Sequence, residues 1–379
     1  MDFRFTDEQE LFRATTAKFV DAEVAPLAEH LDRTGEFPAK LIRRIGELGY
    51  FGLRYPEAYG GLDADNVTYC IFAEEMARGS MAVAATAAMQ SLMGTYFVYA
   101  YGSEEVRQQY LVPAIRGEKI GTFAITEPNA GSDISGIETL ATRDGDRYIL
   151  TGRKTWITNA VVADFFTIAA KTRKERGMES ICLFLLDKGT PGFAVGKEID
   201  KLGARGSQTT EIILDGCPVP ATYRLGEEEQ GVRYLGTILN EIRVMTAALS
   251  VGIARAAYDA ALRYANERTA FGNPIAKYQA IKFKLADMAT ALHASKLLTY
   301  HAAWMLDQKL PVTKEAAMAK LFASEAACQI TDEATRIYGS YGFAMEYPVQ
   351  RYLRDARFLL YGGGTSEILR IVIGKEIGA

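Results

Sequence analysis

The spacing of apolar residues changes twice along the chain, and one kind of secondary structure cannot satisfy both periods. From Thr6 the pattern is helical: Thr6 and Gln9 fit a capping box, and Leu11, Phe12, Phe19 and Val20 trace one stripe. Helical spacing continues past Leu41, Ile45 and Leu48, through Ile71 to Met76 and across Val106 to Ile115, with turn-rich residues 56–61 between. After Gly117 the period becomes two. Residues 119–126 are strand-like, and alternating flanks surround Asp144-Gly145, a strong hairpin signal. Further strands are expected over 164–172, 180–188, 192–199 and 209–220. Beyond Gly231 long helices return. One buries Ile238, Ile242, Met245, Leu249, Ile253 and Ala256, a second Ile281, Leu285, Met288, Leu292 and Leu298, and a third, rich in alanine, runs from Lys314 to Tyr338. The expected fold is mostly α with a central β domain. It comprises an N-terminal helical domain (1–120), a β-barrel or sandwich (121–226) and a C-terminal four-helix bundle (227–379).

Composition removes several chemistries. Lys and Arg total 43 against 47 Asp and Glu, a net charge of -4, which gives no basic face for nucleic acid. The three histidines, His30, His293 and His301, stand near no cysteine or paired acid, so neither a hydrolase triad nor a metal site is expected. Cys70, Cys182, Cys217 and Cys328 are scattered without a C-x-x-C pair and are expected as small buried thiols in a reducing compartment. The charged start MDFRFTDEQE predicts no secretory leader, and a cytoplasmic location follows as an expectation. Residues 79–103 carry no charge, yet small and hydroxyl side chains dilute them, so a buried helix pair is expected and no membrane span. The Asn66-Val67-Thr68 sequon has no meaning in the cytoplasm.

No G-x-G-x-x-G follows a strand and no P-loop is present. Instead, four short polar or glycine-rich segments lie at the joints between regions. Residues 126–133 (TEPNAGSD) follow a strand, and their small side chains let backbone N–H groups and hydroxyls approach a ligand. Residues 155–159 (TWITN) end a strand with an aromatic plane beside hydroxyl and amide groups. Residues 267–272 (ERTAFG) close a long helix with a cation and an aromatic, and residues 362–367 (GGGTSE) open the last helix.

In this order and spacing, the segments resemble the acyl-CoA dehydrogenase family of flavoenzymes. The resemblance runs over essentially the whole chain, from FTDEQELFR through ITEPNAGSD, TGRKTWITNA, LGARGS, NERTAFG and YQAI to GGGTSEI. It implies FAD held between the β domain and the bundle, and a homotetramer built as a dimer of dimers. It also implies an acyl-CoA thioester oxidised between Cα and Cβ, with an electron-transferring flavoprotein as electron acceptor. Thr126 and Thr158 match residues that address the isoalloxazine, and Trp156 one that packs on it. Ser132 matches the serine near the FAD pyrophosphate and thioester arm. Arg268 and Phe271 match positions reaching the ADP half of FAD in a neighbouring subunit, and Thr365 and Glu367 lie near the same cofactor. Arg336 stands where a glutamine often faces the diphosphate. Asn240 and Arg243 match polar positions on the CoA-facing start of a bundle helix. The acyl-pocket segment Ala88–Phe97 includes Ser91 and no acid. Leu360 and Tyr361, which precede the glycine run, are placed either to narrow the acyl pocket or in the core.

One departure bears on mechanism. The family's catalytic glutamate falls at Gly363 in most members and at Ile242 in a minority, and this chain has a carboxylate at neither. Gly363 keeps the backbone N–H that polarises the thioester carbonyl. Three explanations stand side by side: Glu241 as a displaced base, an inactive or engineered variant, or a different flavin reaction with the base supplied from elsewhere or by the substrate. The alternatives to α,β-dehydrogenation are an enoyl-CoA reductase, a dehydrogenase of an acyl-carrier thioester, and a catalytically silent acyl-CoA-binding flavoprotein.

Overall fold

The computed structural model describes residues 4–174 and 177–379, so the first three residues of the charged N-terminus lie outside it. Eight helical segments come first: α1 (Asp7–Phe19), α2 (Ala28–Thr34), α3 (Ala39–Glu47), α4 (Asn66–Gly79), α5 (Met81–Ala88), α6 (Tyr96–Tyr101), α7 (Glu104–Val106) and α8 (Val112–Ile115). The capping box is formed, with the Gln9 N–H donating to Thr6 Oγ1 at 3.2 Å and the Thr6 N–H to Gln9 Oε1 at 3.1 Å. Leu11 differs from expectation and is 69% exposed. The buried side of α1 carries Thr16 and Phe19, with Phe12 half-buried above them, and Leu11 sits about 100° round the helix from Phe12. Leu48 is likewise exposed, because α3 ends one residue earlier.

The β region holds β1 (Gly121–Ala124), β2 (Leu140–Asp144), β3 (Arg147–Thr158), β4 (Phe165–Lys171), β5 (Ile181–Asp187), β6 (Phe193–Glu198), β7 (Thr209–Pro220) and β8 (Arg224–Leu225). These strands form a single sheet in the order β6-β7-β3-β2-β4-β5-β8, with β1 parallel to β4. Gly145, at φ +63, turns the β2–β3 hairpin and pairs Asp144 with Arg147. The inner face packs Tyr148, Leu150, Phe166, Ile168, Phe184, Leu186, Ile212 and Leu214. β4 is buried at every position, since its other face, with Phe165 and Ala169, joins the helical core. A strand covered on both faces reads as an unbroken apolar run rather than an alternation.

The C-terminal region contains α9 (Gly231–Glu267), α10 (Gln279–Asp307), α11 (Thr313–Tyr338), α12 (Pro348–Ala356) and α13 (Ser366–Glu376). All six core positions expected on α9 are buried. On α10 only Leu285 and Met288 of the expected five are, and Ile281, Leu292 and Leu298 are half-covered. Two helical stretches have the length and apolarity to cross a membrane, Met81–Tyr101 and Gly231–Glu267. Their apolar windows are 89% and 78% buried inside the protein, so both serve as core helices here.

Candidate functional site

Two neighbouring strand ends build the first part of the site. The Thr155 N–H donates to the Thr126 carbonyl (2.9 Å), and Thr122 Oγ1 donates to the Thr158 carbonyl (2.6 Å). Thr126, Trp156 and Thr158 therefore share one edge. Beneath them Lys154, fully buried, donates to Glu127 Oε1 at 2.7 Å and to the Ile125 carbonyl at 3.1 Å. Glu127 also accepts from the N–H groups of Glu138 (2.7 Å) and Thr139 (3.0 Å). Burial raises the Glu127 carboxyl, but Lys154 and these donors more than offset it, and the net shift is downward. Burial, partly opposed by Glu127, pushes the Lys154 ammonium down to about 8. The pair clamps the 126–133 loop to β3.

Above that clamp the side chains are open. Trp156 is 57% exposed on a backbone with φ +61, Thr126 and Thr158 are half-buried, and Ser132 is exposed. A Cβ on Gly131 would meet nothing within 4 Å. An indole held outward by left-handed backbone, beside two hydroxyls and an open glycine, fits the ring and pyrophosphate of a flavin nucleotide.

The second part lies where α9 meets the glycine run before α13. Gly363 has φ +72, and a Cβ placed on it would lie 3.5 Å from Ile242 Cγ2 and 3.1 Å from Thr246 Oγ1. Among the described residues no side chain or carbonyl accepts from the Gly363 N–H. Arg243 is 7% exposed. Its Nη1 donates to Asn240 Oδ1 (3.2 Å), its Nε has no partner among the described residues, and burial lowers its pKa. A nearly buried guanidinium without a carboxylate suits an anionic ligand. Asn240 donates in turn to Thr313 Oγ1 (3.2 Å).

The other expected residues lie outside these two parts. Glu241 forms an ion pair with Arg54, whose guanidinium lies 5.1 Å from the centre of the Tyr69 ring. This non-local contact gives Glu241 a structural partner that no sequence pattern announces. Ser91 is 1% exposed, and its hydroxyl is shared between the Ala87 carbonyl (2.8 Å) and Tyr69 Oη (2.9 Å). Arg336 pairs with Asp332 on its own helix (2.7 Å) and walls a cleft of about 590 Å³ with Gly339, Gly342, Phe343 and Gln350. Arg268 lies 5.7 Å from the Tyr341 ring centre, and Phe271 is 95% exposed at φ +48. Thr365 caps α13 by accepting the Ile368 N–H (3.4 Å), and hydrogen bonds from the Glu367 backbone N–H and from Thr365 hold the Glu367 carboxyl low. Tyr361 is 61% exposed, while Leu360 supplies a carbonyl to Lys320.

Sequence reasoning missed Lys154, Glu127 and Lys320. Lys154 shares the inward face of β3 with Tyr148 and Leu150, and Lys320 interrupts the buried alanine stripe of Ala316, Ala319, Ala323 and Ala327. A charged residue at an apolar phase was the available signal for both lysines.

A helical–β–helical chain with these openings defines a flavin-dependent oxidoreductase. Family models describing the acyl-CoA dehydrogenase N-terminal, middle and C-terminal domains match residues 6–118, 122–217 and 229–378. The chain belongs to the acyl-CoA dehydrogenase family, and it is an FAD-dependent oxidoreductase that dehydrogenates the CH–CH group of an acyl-CoA. It is 51% identical over 380 residues to a benzylmalonyl-CoA dehydrogenase of Aromatoleum aromaticum, with 100% of each chain covered. It is 42% identical to a 3-(aryl)acrylate reductase of Clostridium sporogenes, covering 98% of this chain and 99% of the relative. The butyryl-CoA dehydrogenase structure from Megasphaera elsdenii superposes with a TM-score of 0.97 at 39% identity, over 100% of both chains.

Proposed function

We propose that this enzyme oxidises a malonyl-type acyl-CoA carrying an aryl group, and that loss of CO2 from Cα does the work of the missing base. One observation carries the reading: Ile242 and Gly363 meet at one point, and neither has a carboxylate. The relative at 51% identity is named for benzylmalonyl-CoA, a thioester whose Cα bears its own carboxylate. Breaking the Cα–CO2⁻ bond leaves its electron pair on Cα, delocalised into the thioester, so no proton needs to be removed. That pair then forms the Cα=Cβ bond as hydride leaves Cβ, giving an arylacryloyl-CoA, CO2 and the two-electron-reduced cofactor. FAD supplies the hydride acceptor when bound.

The chain's own residues fit this route. The Gly363 N–H stabilises the charge that develops on the thioester oxygen. Ile242 presents an apolar wall in place of a like charge, which disfavours the substrate carboxylate relative to neutral CO2. The competing reaction, reduction of an arylacryloyl-CoA to an arylpropanoyl-CoA, requires a proton donor at Cα, and neither position supplies one. Thr126, Trp156 and Thr158 hold the flavin end of FAD, and Ser132 holds its pyrophosphate beside the thioester arm. Arg268, Phe271, Arg336, Thr365 and Glu367 hold its remainder across a homotetramer, and Asn240 and Arg243 hold CoA. The immediate electron acceptor is an electron-transferring flavoprotein, as the family resemblance implies, and the four free cysteines suit the cytoplasm.

Anaerobic mixing tests the substrate class. Benzylmalonyl-CoA is expected to bleach the flavin at least about a hundredfold faster than 3-phenylpropanoyl-CoA, the same acyl group without the carboxylate. Equal bleaching by the two would overturn the proposal.

A further inference from the structure

Lys320 is fully buried on α11, where its neighbours along the stripe are alanines. Its ammonium donates to the Gly364 carbonyl at 2.7 Å and the Leu360 carbonyl at 3.4 Å, so it grips the glycine run on both sides. Between those carbonyls the chain turns sharply. The Gly362 N–H donates to the Phe358 carbonyl (3.1 Å), while Gly363 and Gly364 adopt φ +72 and +105. Two consecutive left-handed glycines have little conformational preference of their own, so an outside contact must choose one geometry. Burial, partly offset by Glu325, lowers the Lys320 pKa to about 8, and Arg243 and Glu367 also lie in its field. The nearby Glu325 is itself engaged, accepting from Ser366 Oγ at 2.7 Å. A cation in this alanine stripe is costly to bury, and what it receives in exchange is two carbonyls of one turn.

Resting on the reading above, in which the Gly363 N–H faces the thioester carbonyl, we infer that Lys320 is a positioning residue of the reaction. It fixes the 361–364 turn so that this N–H is presented at the oxygen where negative charge develops. Two bonds from one ammonium turn a flexible glycine run into a preorganised donor, and a donor already in place needs no reorganisation as the charge appears.

The test uses the FAD-loaded enzyme and cinnamoyl-CoA, whose conjugated absorption moves to longer wavelength when its carbonyl is polarised. Wild type is expected to show that red shift on binding. Lys320→Met is expected to keep its FAD and bind cinnamoyl-CoA within about threefold, yet lose at least half of the shift. Its kcat on benzylmalonyl-CoA should fall by about tenfold or more with little change in KM. A full red shift and undiminished kcat in Lys320→Met overturn the inference, as does loss of FAD, ligand affinity and kcat together, which marks a purely structural lysine. If Lys320→Met does not assemble, Lys320→Gln, which retains a donor without the charge, is read against the same outcomes. Absence of the shift in wild type counts against the proposed reaction instead.

Discussion

Ile242 and Gly363, far apart in sequence, converge so closely that a Cβ on Gly363 would stand 3.5 Å from Ile242 Cγ2. The two places where the family resemblance puts its carboxylate are thus one place in space, reached from either of two segments. A glutamate on one segment makes a second on the other unnecessary. In this chain neither segment carries a carboxylate there.

That convergence makes Ile242→Glu a sharp probe. The variant is expected to raise flavin bleaching by 3-phenylpropanoyl-CoA by about two to four orders of magnitude, and to slow benzylmalonyl-CoA through like-charge repulsion. Gly363→Glu should gain less. Its backbone at φ +72 strains any L-residue by about 1–2 kcal/mol, and the new Cβ sits 3.1 Å from Thr246 Oγ1. Stopped-flow absorbance under anaerobic conditions reads both variants. A folded, FAD-loaded Ile242→Glu that stays silent toward 3-phenylpropanoyl-CoA would show that this point is not where a base acts.

Trp156 offers an optical check on the flavin edge, because the chain contains only two tryptophans and the other is Trp304. FAD added to apoprotein is expected to quench the Trp156 emission, and Trp156→Phe to abolish most of the quenching. Trp156→Ala should weaken FAD binding by about tenfold or more through lost stacking, with little loss of apoprotein stability at a 57% exposed side chain. Quenching that persists in Trp156→Phe moves the flavin elsewhere.

The Glu127–Lys154 pair is expected to be costly to break. Lys154→Met strands a buried carboxylate and should destabilise the protein by about 3–5 kcal/mol in urea unfolding. Because the Glu127 carboxyl is shifted down in the native state, its contribution is present above the ordinary carboxylate range. It is lost as the pH falls through the lowered native value. Wild type should therefore weaken in acid, while Lys154→Met begins weaker and loses less on acidification. Identical acid profiles would show that the pair does not set this stability.

Exposed aromatic residues point to self-association. Phe271 and Phe343 are 95% and 93% exposed, beside Arg268 and the Arg336 cleft respectively. If the proposed tetramer buries these rings, Phe271→Asp and Phe343→Asp are each expected to shift sedimentation to smaller species and to weaken FAD retention. Unchanged sedimentation in both variants would separate these residues from the subunit interface.

Much of this architecture was legible in local periodicity. The α9 core positions and the β2–β3 hairpin follow from spacing and from Asp144-Gly145, because those signals act over a few residues. Leu11 failed because a one-residue phase choice on α1 decides which side chain faces inward. Lys154 and Lys320 occupy apolar phases, where pattern alone expects a hydrophobe and only the three-dimensional partners, Glu127 and the Gly364 carbonyl, explain the charge. The Arg54–Glu241 pair and the Ile242–Gly363 contact join distant segments, and no local spacing encodes either.

The fate of the substrate carboxylate separates decarboxylation from removal of an α-proton. Holoenzyme is mixed anaerobically with benzylmalonyl-CoA labelled with 13C in its free carboxylate, and 13CO2 is counted against FAD reduced. One 13CO2 is expected for each FAD reduced, with unlabelled cinnamoyl-CoA as the product. Full flavin reduction with the label retained in the acyl-CoA would contradict decarboxylation.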